Sequence, residues 1–260
     1  MTESTIGTIG VDDRLISDRS KSVEGRLDTV LVKTASRCNI DCSYCYVYRG
    51  PDSSWRLQPK RMCRQTAEVL CKRLIEHARR QQEAGFAIVL HGGEPLLLGY
   101  SGLALILRGL RASLVPERYP ISVQTNGTLI SGKLLDLFAE TRTSLSVSID
   151  GPPHVNDLAR LSHRGESTYA ATIQGIRLLA SHPDSEFLFA GTLSVIQPDV
   201  DAKIIYRFLK KLGSPSMDFL LQDGNHDRMP AGKAHFSSME YGQWLNSLFD
   251  LYLSDPSPVP

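Results

Sequence analysis

The chain has 260 residues, 42% hydrophobic and 22% charged, enough to bury a substantial core as one large domain or two small ones. A formal net charge of +1 supplies no overall field for nucleic acid or an anionic membrane, and neither is expected as a partner. No apolar run approaches the ~20 residues needed to span a bilayer, so a cytoplasmic, reducing setting is expected, and the five cysteines read as thiols or metal ligands.

Residues 1–27 are polar and aperiodic, with no apolar signal-peptide segment, and are expected to form a flexible arm. Strand-like runs follow at 29–35 (TVLVKTA), 86–91 (FAIVLH), 121–125 (ISVQT), 144–149 (SLSVSI), 187–195 and 217–221, rich in Val, Ile, Leu and Phe as buried parallel strands are. Helical periodicity falls between them. The stretch 66–83 opens on Thr66 as an N-cap, and further patterns occupy 101–113, 131–140, 167–181 and 199–212, the last closed by Gly213. The basic pairs Arg79-Arg80 and Lys210-Lys211 sit at helix C-termini, where cations complement the dipole. Residues 28–235 are thus expected to form the core, and 236–260 a terminal helix and a Pro/Ser-rich linker.

Six strands separated by single helices predict right-handed crossovers and a parallel α/β sheet, either open and doubly wound or curled into a partial barrel. In both, polar residues just after a strand's C-terminal end are placed for chemistry. The polar clusters fall there: Ser36 to Tyr48, His91 to Pro95, Asn126-Gly127, Asp150 to Arg160, and Gln222 to Asp227. One shared rim is therefore the expected site, with Asp223, His226, Asp227, His154 and Asp157 as further rim candidates and no catalytic base assigned.

The first cluster, SRCNIDCSYCYVYRG, puts Cys38, Cys42 and Cys45 into eight residues. Structural zinc sites use four Cys/His ligands, and this loop would need a distant fourth. Iron–sulfur clusters are held by thiolates, normally four, so three leave one iron of a [4Fe-4S] cube open to a small molecule. Zinc and incidental burial remain alternatives. Cys63 and Cys71, before and within the first helix, read as surface or packing residues.

The C-x3-C-x2-C spacing, with Tyr44 before the last cysteine, resembles the radical S-adenosylmethionine (SAM) signature. His91-Gly92-Gly93-Glu94-Pro95 resembles that family's GGEP motif: the glycines let backbone pass close to a ligand, and the Glu94 carboxylate is a natural acceptor for an ammonium such as that of SAM's methionine part. Gln124-Thr125-Asn126-Gly127 and Ser148-Ile149-Asp150-Gly151 offer short polar side chains suited to ribose hydroxyls, although a turn explains Asn126-Gly127 as well. Arg160 can pair with a carboxylate through two hydrogen bonds. In the sulfatase-maturase-like branch, residues matching Ser148 and Arg160 contact SAM, and one matching Leu193 offers its backbone near adenine. The resemblance implies a partial (β/α)6 barrel with cluster and SAM at its mouth, SAM's amino and carboxylate groups completing the open iron.

The surroundings "CYVY…SSWR", "LHGGEPLLLG", "QTNGTLI" and "DFLLQDGNHD" look like the radical SAM/SPASM peptide maturases, particularly the branch making carbon–carbon cyclophane crosslinks. The similarity implies reductive cleavage of SAM to a 5'-deoxyadenosyl radical, a ribosomally made precursor peptide as substrate, and an external electron donor such as flavodoxin or ferredoxin. Anaerobic sulfatase maturases, which make formylglycine, share most motifs and are the alternative reading. A non-catalytic cluster-bearing scaffold or partner-recognition protein is the alternative of another class. No cysteine follows Cys71, so the auxiliary-cluster SPASM domain of those families is expected to be absent from this chain.

Overall fold

Six strands form where the apolar runs lie: β1 (Thr29–Ala35), β2 (Ala87–Gly92), β3 (Ile121–Thr125), β4 (Thr143–Ser148), β5 (Phe189–Val195) and β6 (Met217–Leu220). The computed structural model describes residues 27–80, 85–225, 227–235 and 237–260. The expected N-terminal arm, apart from Leu27, the last residues of the 66–83 helix and His226 lie outside the described residues.

All neighbouring strands pair in parallel, in the order β1-β2-β3-β4-β5-β6. That sequential order excludes a doubly wound sheet, whose strand order reverses at a switch point. With right-handed crossovers it places the connecting helices on one face, so the sheet is an open (β/α)6 layer with β1 and β6 as edges.

Between the strands run α1 (Tyr46–Arg49), α2 (Arg64–Arg80), α3 (Gly99–Arg111), α4 (Gly132–Glu140), α5 (Pro153–Asn156), α6 (Tyr169–Ala180), α7 (Ser185–Leu188), α8 (Ala202–Leu212) and α9 (Glu240–Ser254). The first long helix begins at Arg64, so Thr66 lies in its first turn and is not its cap; its hydroxyl meets the Cys63 sulfur at 3.2 Å. Gly213 closes α8 in the left-handed conformation, as expected. Residues 187–188, read as strand, belong to the one-turn helix α7.

The strands are not buried on both sides as their composition suggested. β3 and β4 alternate strictly between buried and half-buried positions. Ile121, Val123, Leu145 and Val147 pack outward with the helices in the apolar core, while Gln124, Ser146 and Ser148 face the hollow side of the sheet. A curled sheet needs a polar, accessible concave face, and the SLSVS alternation supplies it.

The outer layer is an ordinary helix–sheet core. In α3, Leu103, Ile106, Leu107 and Leu110 recur at helical spacing and are all fully buried. Cys71 of α2 is buried against them, its thiol donating to the Ile106 carbonyl at 3.6 Å, whereas Cys63 is exposed. Leu107→Ala is expected to lower unfolding free energy by about 2–5 kcal/mol, measured by denaturant titration, with the site chemistry intact. The 236–260 segment packs on the same body: the Trp244 indole donates to the Val200 carbonyl at 2.8 Å, Asp255 accepts from Tyr206 and Lys210, and the Met217 amide on the edge of β6 donates to the Pro260 carbonyl. Among the described residues no helix is long and apolar enough to cross a membrane.

Candidate active site

The site begins where β1 ends. The loop after Ala35 carries the three cysteines and is pinned along both flanks by backbone hydrogen bonds. On one side the Gly93 and Glu94 amides donate to the Ala35 and Arg37 carbonyls; on the other, the Asp41 and Ser43 amides donate to the Leu161 and Ala159 carbonyls. A turn from the Cys45 amide to the Cys42 carbonyl closes the loop before α1. Gly92 has φ 139°, and a Cβ there would collide with the Ala35 carbonyl. The two glycines of the GGEP segment therefore let β2 lie against the cysteine loop as well as border the cavity.

Cys38, Cys42 and Cys45 all line one cavity of about 400 Å³ at the C-terminal ends of the strands. Its opposite wall comes from β3 to β5 and the segment after α5: Gln124, Asn126, Ser148, Leu193 and Arg160. Tyr44, Gly92 and Gly93 complete the predicted set that reaches it. Glu94 and Asp150 do not.

Glu94 is fully buried, and its carboxylate accepts from the Leu96 amide, the Thr125 hydroxyl and the Asn126 amide. It ties the ends of β2 and β3 together beneath the cavity and does not line it. Burial raises its pKa and these three donors oppose the rise. Glu94→Gln would set an amide N–H against the Asn126 N–H, so a stability loss of about 1–3 kcal/mol is expected, read by thermal unfolding. A stable Glu94→Gln protein with weakened SAM binding would return the carboxylate to the ligand.

Asp150 is also off the cavity lining. Its carboxylate is buried and accepts from the Tyr44 hydroxyl at 2.7 Å and the Val195 amide at 3.1 Å. The Tyr44 oxygen in turn accepts from the Arg160 guanidinium at 2.9 Å. An Asp150–Tyr44–Arg160 chain thus fastens the cysteine loop to the far wall. Burial raises both the Asp150 carboxyl and the Tyr44 phenol. Asn126 borders the cavity, but its side chain is engaged: Nδ2 donates to Asn39 at 2.9 Å and approaches the Cys38 sulfur at 3.7 Å, while Oδ1 accepts from Thr128. It holds the cysteine loop from the cavity wall.

Gln124 donates to the Ser148 hydroxyl oxygen at 2.9 Å, leaving the Gln124 carbonyl oxygen and the Ser148 proton for a ligand. Leu193 is the register partner of Ser148, and its carbonyl already accepts from the Ile149 amide. Of the rim candidates, Asp223 lines the cavity; His154, Asp157 and Asp227 do not. Residues the sequence reading passed over include the Asn39–Thr128 pair, His163 on the Cys38 carbonyl, and Tyr48. Of these, Tyr48 lies in the CYVY stretch, but its unpaired hydroxyl is a tertiary feature.

The donor set fits a cluster and SAM. Arg160 is buried, yet its Nε has no partner, an orphaned cationic donor on the cavity wall suited to a carboxylate. Burial pushes the Cys38 thiol up to about 12 and the Cys42 thiol to about 11, so both stay protonated until a cation displaces the protons. Among the described residues no three His, Cys, Asp or Glu side chains gather around a single ion. The three thiols line one cavity, an arrangement that suits a cluster whose thiolates bind separate irons.

The model of the radical SAM superfamily matches residues 32–221. The chain belongs to the radical SAM superfamily. Members use a [4Fe-4S] cluster and SAM, the pair the cavity accommodates. A cysteine-type anaerobic sulfatase-maturating enzyme of Clostridium novyi is 26% identical over 87% of this chain and 60% of its own length. A serine-type enzyme of Bacteroides thetaiotaomicron is 27% identical over 87% and 57%. The chain therefore spans about 60% of the length of these relatives. The structure of native anSMEcpe with bound AdoMet and Cp18Cys peptide shares the fold, with TM-score 0.73 and 22% identity over 88% of this chain and 60% of that one.

Proposed function

We propose that this radical SAM protein cleaves SAM reductively and modifies a ribosomally made precursor peptide, forming a carbon–carbon cyclophane crosslink between an aromatic ring and the β-carbon of a nearby residue. The observation that carries the first half is the meeting, in one cavity, of three loop thiols and the half-unpaired Arg160. A bound cluster and SAM would supply the one-electron, hydrogen-abstracting chemistry. The protein's part is orientation. Cys38, Cys42 and Cys45 would hold the cluster; Arg160 Nε would donate to the SAM carboxylate; Gln124 and Ser148 would meet the ribose, and Leu193 would bound the adenine.

The peptide reading is supported by a second cleft of about 420 Å³ that shares Tyr44, Cys45, Tyr46, Gln222 and Asp223 with the first. Its lining mixes apolar groups with Gln197, Asn225, Arg49 and Arg228, donors and acceptors suited to a peptide backbone. A second reading, formylglycine formation on a sulfatase, is favoured by the sulfatase-maturating relatives.

Anaerobic reconstitution with iron and sulfide, followed by SAM and dithionite, is expected to release 5'-deoxyadenosine. A loaded cluster without that product would favour the scaffold alternative. Mass spectrometry of co-encoded short peptides separates the two enzymatic readings: a crosslink removes two hydrogens and joins two residues into one fragment. A sulfatase peptide converted to an aldehyde, with no crosslinked precursor, would replace the cyclophane proposal.

A further inference from the structure

The Tyr48 hydroxyl is buried in the wall of the cysteine-lined cavity and has no hydrogen-bond partner. An unpaired buried hydroxyl costs about 1–3 kcal/mol, so its position needs a reason. The surrounding chain holds it there deliberately. Trp55 meets the Tyr48 ring edge-on, with centroids 4.8 Å apart and planes at 87°. The Arg37 and Arg56 guanidinium groups stack on Trp55 at 5.0 and 5.3 Å, and Arg37 also donates to the Trp55 and Arg56 carbonyls. On the other side the hydroxyl rests against Gly93, where a Cβ would collide with it. Arg37 precedes the first cysteine and Tyr48 follows the third by three residues, so the buttress and the cysteine loop are one piece of chain.

We infer that the Tyr48 hydroxyl donates a hydrogen bond to the iron–sulfur cluster, at a Cys38 or Cys45 thiolate or an inorganic sulfide, and raises its reduction potential. Tyr48 shares the cavity lining with Cys38 and Cys45. A phenol is a protonated donor near neutral pH. The groups suited to SAM lie on the β3–β5 wall, whereas Tyr48 stands with Arg37 and Gly93 on the β1–β2 side. An O–H dipole directed at sulfur stabilises the more negative, reduced cluster, and hydrogen bonds to the sulfurs are a recognised determinant of potential. Tyr48 is thus a positioning and tuning residue: it sets how readily an external one-electron donor reduces the cluster.

The test is an EPR-monitored redox titration of the anaerobically reconstituted full chain, without SAM. Tyr48→Phe, with unchanged iron content, is expected to shift the reduction equilibrium about tenfold toward the oxidised cluster, ~59 mV downward for a one-electron couple. Trp55→Ala, which releases the ring, should shift it in the same direction by less. An unchanged potential in Tyr48→Phe with full iron overturns the inference, and unchanged potential with weakened SAM affinity assigns the hydroxyl to SAM instead. Where Tyr48→Phe fails to hold the cluster, a ring-fluorinated tyrosine at position 48 keeps the shape and strengthens the donor. A rise in potential then supports the hydrogen bond, and no rise refutes it.

Discussion

Cys42→Ala is expected to reduce iron and acid-labile sulfide after anaerobic reconstitution to background, with the far-UV circular dichroism unchanged. Cys42 stands between the other two thiols in sequence and shares their cavity, so its loss leaves two thiolates for a cluster that already has one iron without a protein ligand. The fold should survive. The hydrogen bonds that pin this loop, from the Asp41 and Ser43 amides and from Cys45 to the Cys42 carbonyl, are all main-chain and do not need the sulfur. Cys63→Ala, at an exposed position, is the matched control and should load fully. A Cys42→Ala protein with a full complement of iron and sulfide would remove the ligand assignment and with it the proposed reaction.

Arg160→Met should weaken SAM binding to the loaded protein at least tenfold, measured by calorimetry, because hydrogen bonds to charged groups contribute about 1.5–3 kcal/mol. It should also destabilise the protein. Arg160 is the buried cation nearest the buried Asp150 carboxylate, linked to it through the Tyr44 hydroxyl. Removing one partner of a buried charge pair costs about 3–5 kcal/mol, part of which is avoided when the carboxyl protonates. The two effects are separable. Adding Asp150→Asn removes the stranded charge, so the double variant should regain stability without regaining SAM affinity. Recovery of both would mean that Arg160 acts only by holding the loop.

Where each residue's chemistry is local, the sequence reading and the structure agree. The three cysteines, the glycines, Gln124, Ser148 and Arg160 lie at or after the C-terminal ends of strands, and all reach one cavity because parallel strands bring those ends together. Glu94, Asp150 and Asn126 have the same polar character and the same kind of position, yet their side chains are hydrogen-bonded into the framework. Their side chains point beneath or across the loops, toward backbone amides that nothing in the linear chain announces. A buried carboxylate is retained only where enough donors converge on it, and convergence depends on tertiary contacts. Tyr48 went unassigned for the converse reason: its significance is an absent partner, visible only once its neighbours are placed.

The sequence alone carried the resemblance to the radical SAM superfamily, through the cysteine loop together with the GGEP and later motifs, and the order of strands and helices, through apolar periodicity. Both are short-range properties: thiolates in one loop are correlated by the loop, and a strand or helix by its own repeat. Tertiary structure decided the sequential, open sheet, the polar hollow face that composition had suggested would be apolar, and which of the polar residues reach the cavity. Those outcomes depend on which face of a strand curves inward and which buried donor finds which acceptor. Residues far apart in the chain, such as Tyr44 and Arg160 at a separation of 116 positions, settle them only when the chain has closed around the cavity.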